Sequence, residues 1–128
     1  MAHLGTRLVR VEPGLCVIEQ PFGPPVAQQQ GLFHGGMIAA VADVAGGYAA
    51  LSLAEPGQEA LTVEYKINFL APARGDLLVA TGRVVRAGRT LIVTTIDVTV
   101  RNGGSEKPCA TALQTIMAVV PFADRAPA

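Results

Sequence analysis

Tryptophan is absent, and only two cysteines, Cys16 and Cys109, occur among 128 residues. A small secreted domain stapled by disulfides needs more, and no C-x-x-C or Cys/His ligand spacing occurs, so the disulfide and metal-centre readings both drop out. Charge is scarce as well. Asp, Glu, Lys and Arg make up 16% of the chain, and ten Lys and Arg cancel ten Asp and Glu. A balance of zero excludes the basic footprint of a nucleic-acid binder. Met1 to Arg7 lack the basic and apolar regions of a secretory leader, so a cytoplasmic protein is expected. A long stretch of low charge, Gly35 to Ala54, is more than half Ala and Gly with Asp43 inside it, which is not the composition of a membrane span.

What the chain has in excess is apolar side chain: half of its residues are hydrophobic and the mean hydropathy is +0.39. One domain of this size cannot cover that much apolar surface with so few charges, and a self-associating subunit is expected.

Arg7–Val11 and Leu15–Gln20 read as strands around Glu12-Pro13-Gly14, where Pro presets φ and Gly permits a positive one. Pro21, Gly23, Pro24 and Pro25 then forbid regular structure, and a loop centred on Gln28, Gln29 and Gln30 runs to Phe33. A helix is expected from Gly35 or Gly36 to just before Glu55-Pro56-Gly57. Met37, Ile38, Val41, Ala45 and Tyr48 follow helical spacing while Ala39, Ala42, Ala49 and Ala50 keep the other faces small, which describes a helix buried all round. Gly46 and Gly47 are each about 1 kcal/mol worse than Ala inside a helix, so something should pack close to the backbone there.

Beyond the helix, Leu61, Val63, Tyr65, Ile67 and Phe69 alternate with Thr62, Glu64, Lys66 and Asn68, as in a strand with one wet face. Pro72 to Asp76, Ala87-Gly88-Arg89 and Asn102-Gly103-Gly104 punctuate three more strands, Leu77–Arg86, Thr90–Arg101 and Pro108–Val120, and a four-strand antiparallel meander is expected. Residues 121–128 have no periodicity and read as a frayed tail. An α+β domain spanning 1–128, in which the sheet curls around the one long helix, accommodates this order. It leaves an edge strand and a helix flank for a second copy to cover.

The polar residues attached to the helix are Gln28, His34 and, nine residues after the histidine, Asp43. Gly35 and Gly36 open the helix, where unpaired N–H groups meet the positive end of the dipole and no Cβ blocks a carbonyl or anionic oxygen. They make either an oxyanion site or a tight turn. Asp43 is either a reactive carboxylate or an acid bonded across an interface, and His34 either a base or the helix cap. No Gly-x-Ser-x-Gly elbow occurs, and neither cysteine has a histidine near it in sequence.

His34-Gly35-Gly36-Met37-Ile38-Ala39-Ala40-Val41-Ala42-Asp43, with Gly31 before it and Asn68-Phe69-Leu70-Ala71-Pro72-Ala73-x-Gly75-Asp76 after it, resembles the hotdog-fold acyl-CoA thioesterases of the phenylacetate-pathway (PaaI) type, over about residues 28–117. The resemblance implies a hotdog fold, with the long helix as the sausage, and hydrolysis of an acyl-CoA to the free acid and coenzyme A. No cofactor is implied beyond the coenzyme A of the substrate. It implies Asp43 as general base or nucleophile, the Gly35 N–H polarising the thioester carbonyl, Gln28 placing water or the acid where many relatives have Asn, and Thr62 supporting the water. Gly47 stands where some relatives carry a helix threonine. It further implies an acid from one subunit facing the helix start of its neighbour.

Phe33, Gly36 and Tyr48 are candidates for substrate contact, and Arg74, Arg83, Arg86 and Arg89, expected to cluster at the turns between the middle strands, for the coenzyme A phosphates. Solvated strand-end charge is the other reading of these arginines. Hotdog dehydratases resemble a different pattern, Asp-x-Asn-Pro-x-His or His-Phe-Pro, and neither string occurs. A non-catalytic acyl-CoA-binding module would lose the base, whereas Asp43 is present.

Overall fold

The turn at Pro13-Gly14 forms as the sequence requires, with Gly14 at a φ of 76°, and it joins two antiparallel strands, β1 (Arg7–Glu12) and β2 (Leu15–Pro21). The computed structural model describes residues 1–121 and 123, so the expected tail lies almost wholly outside the described residues. One helix follows, α1 (Gly35–Leu51), and then β3 (Glu59–Phe69), β4 (Leu77–Ala87), β5 (Leu91–Asn102) and β6 (Ser105–Val119). All pairs are antiparallel, and the single sheet has the order β1-β2-β4-β5-β6-β3, wrapped around α1 as the hotdog arrangement demands.

That order corrects the expected meander. Only β4, β5 and β6 follow one another; β3 pairs with β6 at one edge, and β4 pairs with β2. Three strand spacings of about 4.8 Å separate β3 from β4, which no tight hairpin turn spans. The connecting segment instead crosses the ends of β6 and β5: Leu70 N–H donates to the Cys109 carbonyl and Asp76 N–H to the Arg101 carbonyl, both at 2.8 Å. Gly75 is required where it crosses, since a Cβ there would lie 2.1 Å from the Arg101 carbonyl oxygen. The last strand begins at Ser105, three residues before the expected Pro108. Pro108 is accommodated at a register shift beyond the end of β3, where its missing N–H breaks no ladder.

The core lies between one face of α1 and the concave face of the sheet, with Ile38, Val41, Ala42, Ala45 and Ala49 packed on Ile18, Leu78, Ala80, Ile96 and Val98. Small residues on α1 let its backbone descend onto the strands. A Cβ on Gly82 of β4 would lie 2.5 Å from the Ala45 carbonyl oxygen, so helix and strand touch main chain to main chain. Gly46 is equally confined from the sheet side, but nothing approaches Gly47 within 4 Å; the expected close packing holds at the first glycine only. The helix is also not buried all round: Asp43, Val44 and Gly47 are half-buried and Tyr48 is exposed, forming an uncovered flank.

Both cysteines are fully buried and unpaired, and burial pushes each thiol up to about 11. Neither is a thiolate at neutral pH, which removes them as nucleophiles. Among the described residues, no helix is long and apolar enough to cross a membrane.

Replacing Gly82 by Ala should force the helix off the sheet and destabilise the fold by about 1–3 kcal/mol, the cost of overpacking. Gly104→Ala, in open space, should be nearly neutral. Urea unfolding of both variants checks this, and equal midpoints would contradict the main-chain contact.

Candidate active site

Asp43 carries the one charge of α1, on the flank left open by the sheet. Thr62 donates its hydroxyl proton to Asp43 Oδ1 at 2.7 Å. Strict alternation would turn Thr62 to the convex face along with Glu64 and Lys66, and the structure shows why it does not. A β-bulge at Val63 shifts the register between Thr62 and Glu64, so Thr62 pairs with inward Ile116 while Tyr65 pairs with inward Gln114. Thr62 therefore shares the concave face with Tyr65, Ile67 and Phe69, and Leu61 moves to the other face.

Gln114 of β6 was not singled out in the sequence. It is fully buried beneath Asp43 and donates through Nε2 both to Asp43 Oδ1 and, at 3.2 Å, to the Asp43 backbone carbonyl. Its Oε1 accepts from the Thr94 hydroxyl of β5 at 2.8 Å. A signal existed: Gln114 interrupts the inward series Ala110, Ala112, Ile116 with an amide, and a buried amide needs partners. Oδ1 thus has two donors, and among the described residues Oδ2 has none.

Asp43, Thr62, Gly47, Tyr48, Leu51 and Ala60 line a groove of about 360 Å³ between α1 and β3. Its walls are mostly apolar; Glu59 also lines it, but the carboxylate paired with a hydroxyl is Asp43, beside Thr62. A second groove, about 420 Å³, lies at the start of the helix and is lined by Phe33, Gly35, Ile38, Phe69, Leu70 and Pro72. Phe33 is buried against Phe22 in an edge-to-face pair, 5.0 Å between centroids, so it forms the floor of this groove.

The helix start departs from the expectation of two open amides. His34 is the N-cap: its Nδ1 accepts the Gly36 N–H at 2.9 Å, which occupies that donor and ties the ring's lone pair to the backbone. Gly35 N–H is left without a partner among the described residues, and only ordinary contact with Phe69 lies where its Cβ would be. Gln28 is half-buried in its own turn, with its side-chain carbonyl accepting from Gln30 N–H.

Sequence neighbours are therefore not all site neighbours. At ~1.5 Å per residue the eight steps from Gly35 to Asp43 separate them by about 12 Å along α1, too far for one carbonyl group to touch both. The four arginines also do not cluster. Arg74 lies before β4, near the helix start, while Arg83 and Arg86 lie in its far half and Arg89 in the turn beyond it, so that about 30 Å of strand separates the outermost. All four are exposed, and none forms an ion pair among the described residues.

Residues 30–107 match the family model of the thioesterase superfamily. The chain belongs to the thioesterase superfamily. A thioesterase family protein from Silicibacter pomeroyi superposes with a TM-score of 0.91 at 40% identity, covering 94% of this chain and 89% of that one. The E. coli PaaI protein of the phenylacetic acid degradation operon shares the fold, with a TM-score of 0.80, 24% identity and coverage of 92% and 82%. Human acyl-coenzyme A thioesterase 13 is 31% identical over 72% of this chain, which spans 66% of that relative's length. The resemblance to PaaI-type hotdog thioesterases is upheld.

In this thioesterase-family chain the cap at His34 is open to direct test. His34→Ala should cost about 1 kcal/mol of stability, the usual loss of an N-cap, and His34→Asn, whose side chain caps equally well, should restore it. Thermal unfolding of the pair decides. Equal stability of His34→Ala and the parent would show that the imidazole does not hold the helix start.

Proposed function

We propose that this chain is a cytoplasmic acyl-CoA thioesterase that works as a homodimer or homotetramer and hydrolyses an aryl-acyl or medium-chain acyl-CoA to the free acid and coenzyme A. The observation that carries the reading is Asp43, a carboxylate lining the groove between α1 and β3, with one oxygen engaged by Thr62 and the other without a partner among the described residues. The name of the human relative supports coenzyme A as the leaving group.

Asp43 Oδ2 takes a proton from water, whose oxygen attacks the thioester carbon. The carbonyl oxygen gains the charge, where the Gly35 N–H of a neighbouring subunit stabilises it. The C–S bond then breaks and the proton passes to the departing thiolate. Direct attack by Oδ2 to give an anhydride, which water opens, uses the same groups. Thr62 holds the acid in either route, and Gln28 lies on the helix-start side.

The gap of about 12 Å within one chain supports a site whose two halves come from different copies, and the exposed surface agrees. The free edge strand β3 presents Val63, Tyr65 and Phe69, each about half exposed, beside exposed Tyr48 on the helix flank. A second copy that covers this edge both buries apolar surface and completes the site. Tyr48 and the Phe33 floor would shape the acyl pocket, while Arg74, Arg83, Arg86 and Arg89, exposed and without an ion pair among the described residues, are available to coenzyme A phosphates.

Hydrolysis of a panel of aryl-acyl and aliphatic acyl-CoA thioesters tests the reading. The parent should turn over at least one of them. Asp43→Asn should lower kcat by roughly 100-fold or more with KM nearly unchanged. Gly35→Pro removes the amide at a helix position that tolerates proline, after a residue already extended at ψ 135°, and should cost about 100-fold as well. An intact oligomer of Asp43→Asn with parental turnover would overturn the catalytic reading. A binding module would retain acyl-CoA without hydrolysing any member of the panel.

A further inference from the structure

The geometry points to Gln114 as the residue that positions Asp43 for reaction, with Thr94 setting the orientation of its amide; this rests on the reading of Asp43 given above. An aspartate carboxylate rotates over a broad, shallow range about its last torsion, so one hydrogen bond leaves its free oxygen poorly aimed. Here two donors from two different strands, Thr62 on β3 and Gln114 on β6, converge on the same oxygen, Oδ1. Gln114 also holds the Asp43 backbone carbonyl, so one amide fixes both ends of the residue. What is left without a donor among the described residues is Oδ2, on a residue that lines the groove.

The arrangement of atoms around Gln114 has one consistent polarity. A carboxylate only accepts hydrogen bonds, so the NH₂ of the amide must face Asp43 and its oxygen must face Thr94, whose hydroxyl donates to it. Both Gln114 and Thr94 are fully excluded from solvent. A side chain needed only to fill space would be apolar at this depth, because buried polar groups stabilise little against a well-packed hydrocarbon.

The helix makes room for this amide at Gly46. A Cβ there would lie 1.8 Å from Gln114 Oε1 and 2.9 Å from Thr94 Oγ1. A glycine in mid-helix, unfavourable by about 1 kcal/mol, thus coincides with the place where the strand side chains reach the helix. Gly46, Gln114 and Thr94, far apart in sequence, form one device that ends at the reactive acid.

Steady-state kinetics on the fastest thioester of the panel, with oligomer mass measured in parallel, tests the proposal. Gln114→Met keeps length and volume but has no amide, and it should lower kcat by roughly 10- to 100-fold, the scale of a small misplacement of a reacting group, with KM within about twofold of the parent. Thr94→Val, of the same shape without the hydroxyl, should lower kcat less, and Thr94→Ser should restore it. Parental kcat in an intact Gln114→Met oligomer, or Thr94→Ser behaving like Thr94→Val, overturns the positioning role; if Gln114→Met does not fold, the Thr94 pair decides alone. Asp43→Asn is run beside them. If it too keeps parental turnover, the reading of Asp43 fails and this inference with it, whereas an inactive Asp43→Asn beside a fully active Gln114→Met overturns this inference alone.

Discussion

Where the middle of α1 meets the sheet, the backbones of helix and strand are in direct contact, because Gly82 leaves no side chain beneath Ala45 and Gly46 leaves none above Gln114 and Thr94. The rest of the structure depends on this approach. It brings Asp43 within hydrogen-bonding reach of Thr62 and Gln114. It also sets the depth of the groove between α1 and β3, and so the distance from the acid to any bound carbonyl. A helix of larger residues would ride higher, and the carboxylate would lose both donors.

The helix and most strands were legible in the sequence because their signals are local: Pro and Gly at the turns, alternation along the strands, and an alanine-rich run bounded by glycines. Strand order was not legible. The loop from Leu70 to Asp76 contains the same Pro and Gly that mark a hairpin, yet it crosses two strands, and only tertiary hydrogen bonds to Cys109 and Arg101 reveal it. Thr62 was matched by resemblance while its face was misread, since a single extra residue at Val63 reverses the pattern without altering composition. Gln114 lay hidden for the related reason that inward and outward positions of β6 cannot be told apart until the register is known. The arginines read as a cluster because consecutive turns were taken as neighbours, whereas turns alternate between opposite ends of an antiparallel sheet.

The site as found in one chain is two halves at two places. One is acidic and apolar, at Asp43; the other offers a lone amide, at Gly35, beside aromatic Phe33 and Phe69. On the function proposed for them, each is chemically incomplete: a base without an oxyanion donor, and a donor without a base. Low charge, an exposed apolar edge strand and the half-open helix flank all favour closure by a second copy, so that the demand for burial and the demand for catalysis are met by one event.

Subunit mixing tests that account most directly. Asp43→Asn and Gly35→Pro chains, each inactive as a pure oligomer, are unfolded together in equal amounts and refolded, and thioester turnover is measured. A site shared between chains predicts recovery to about one quarter of parental activity, because about half of randomly paired dimers are mixed and each mixed dimer holds one intact site of two. A mixture that forms hybrid oligomers and stays as inactive as its components would contradict the shared site.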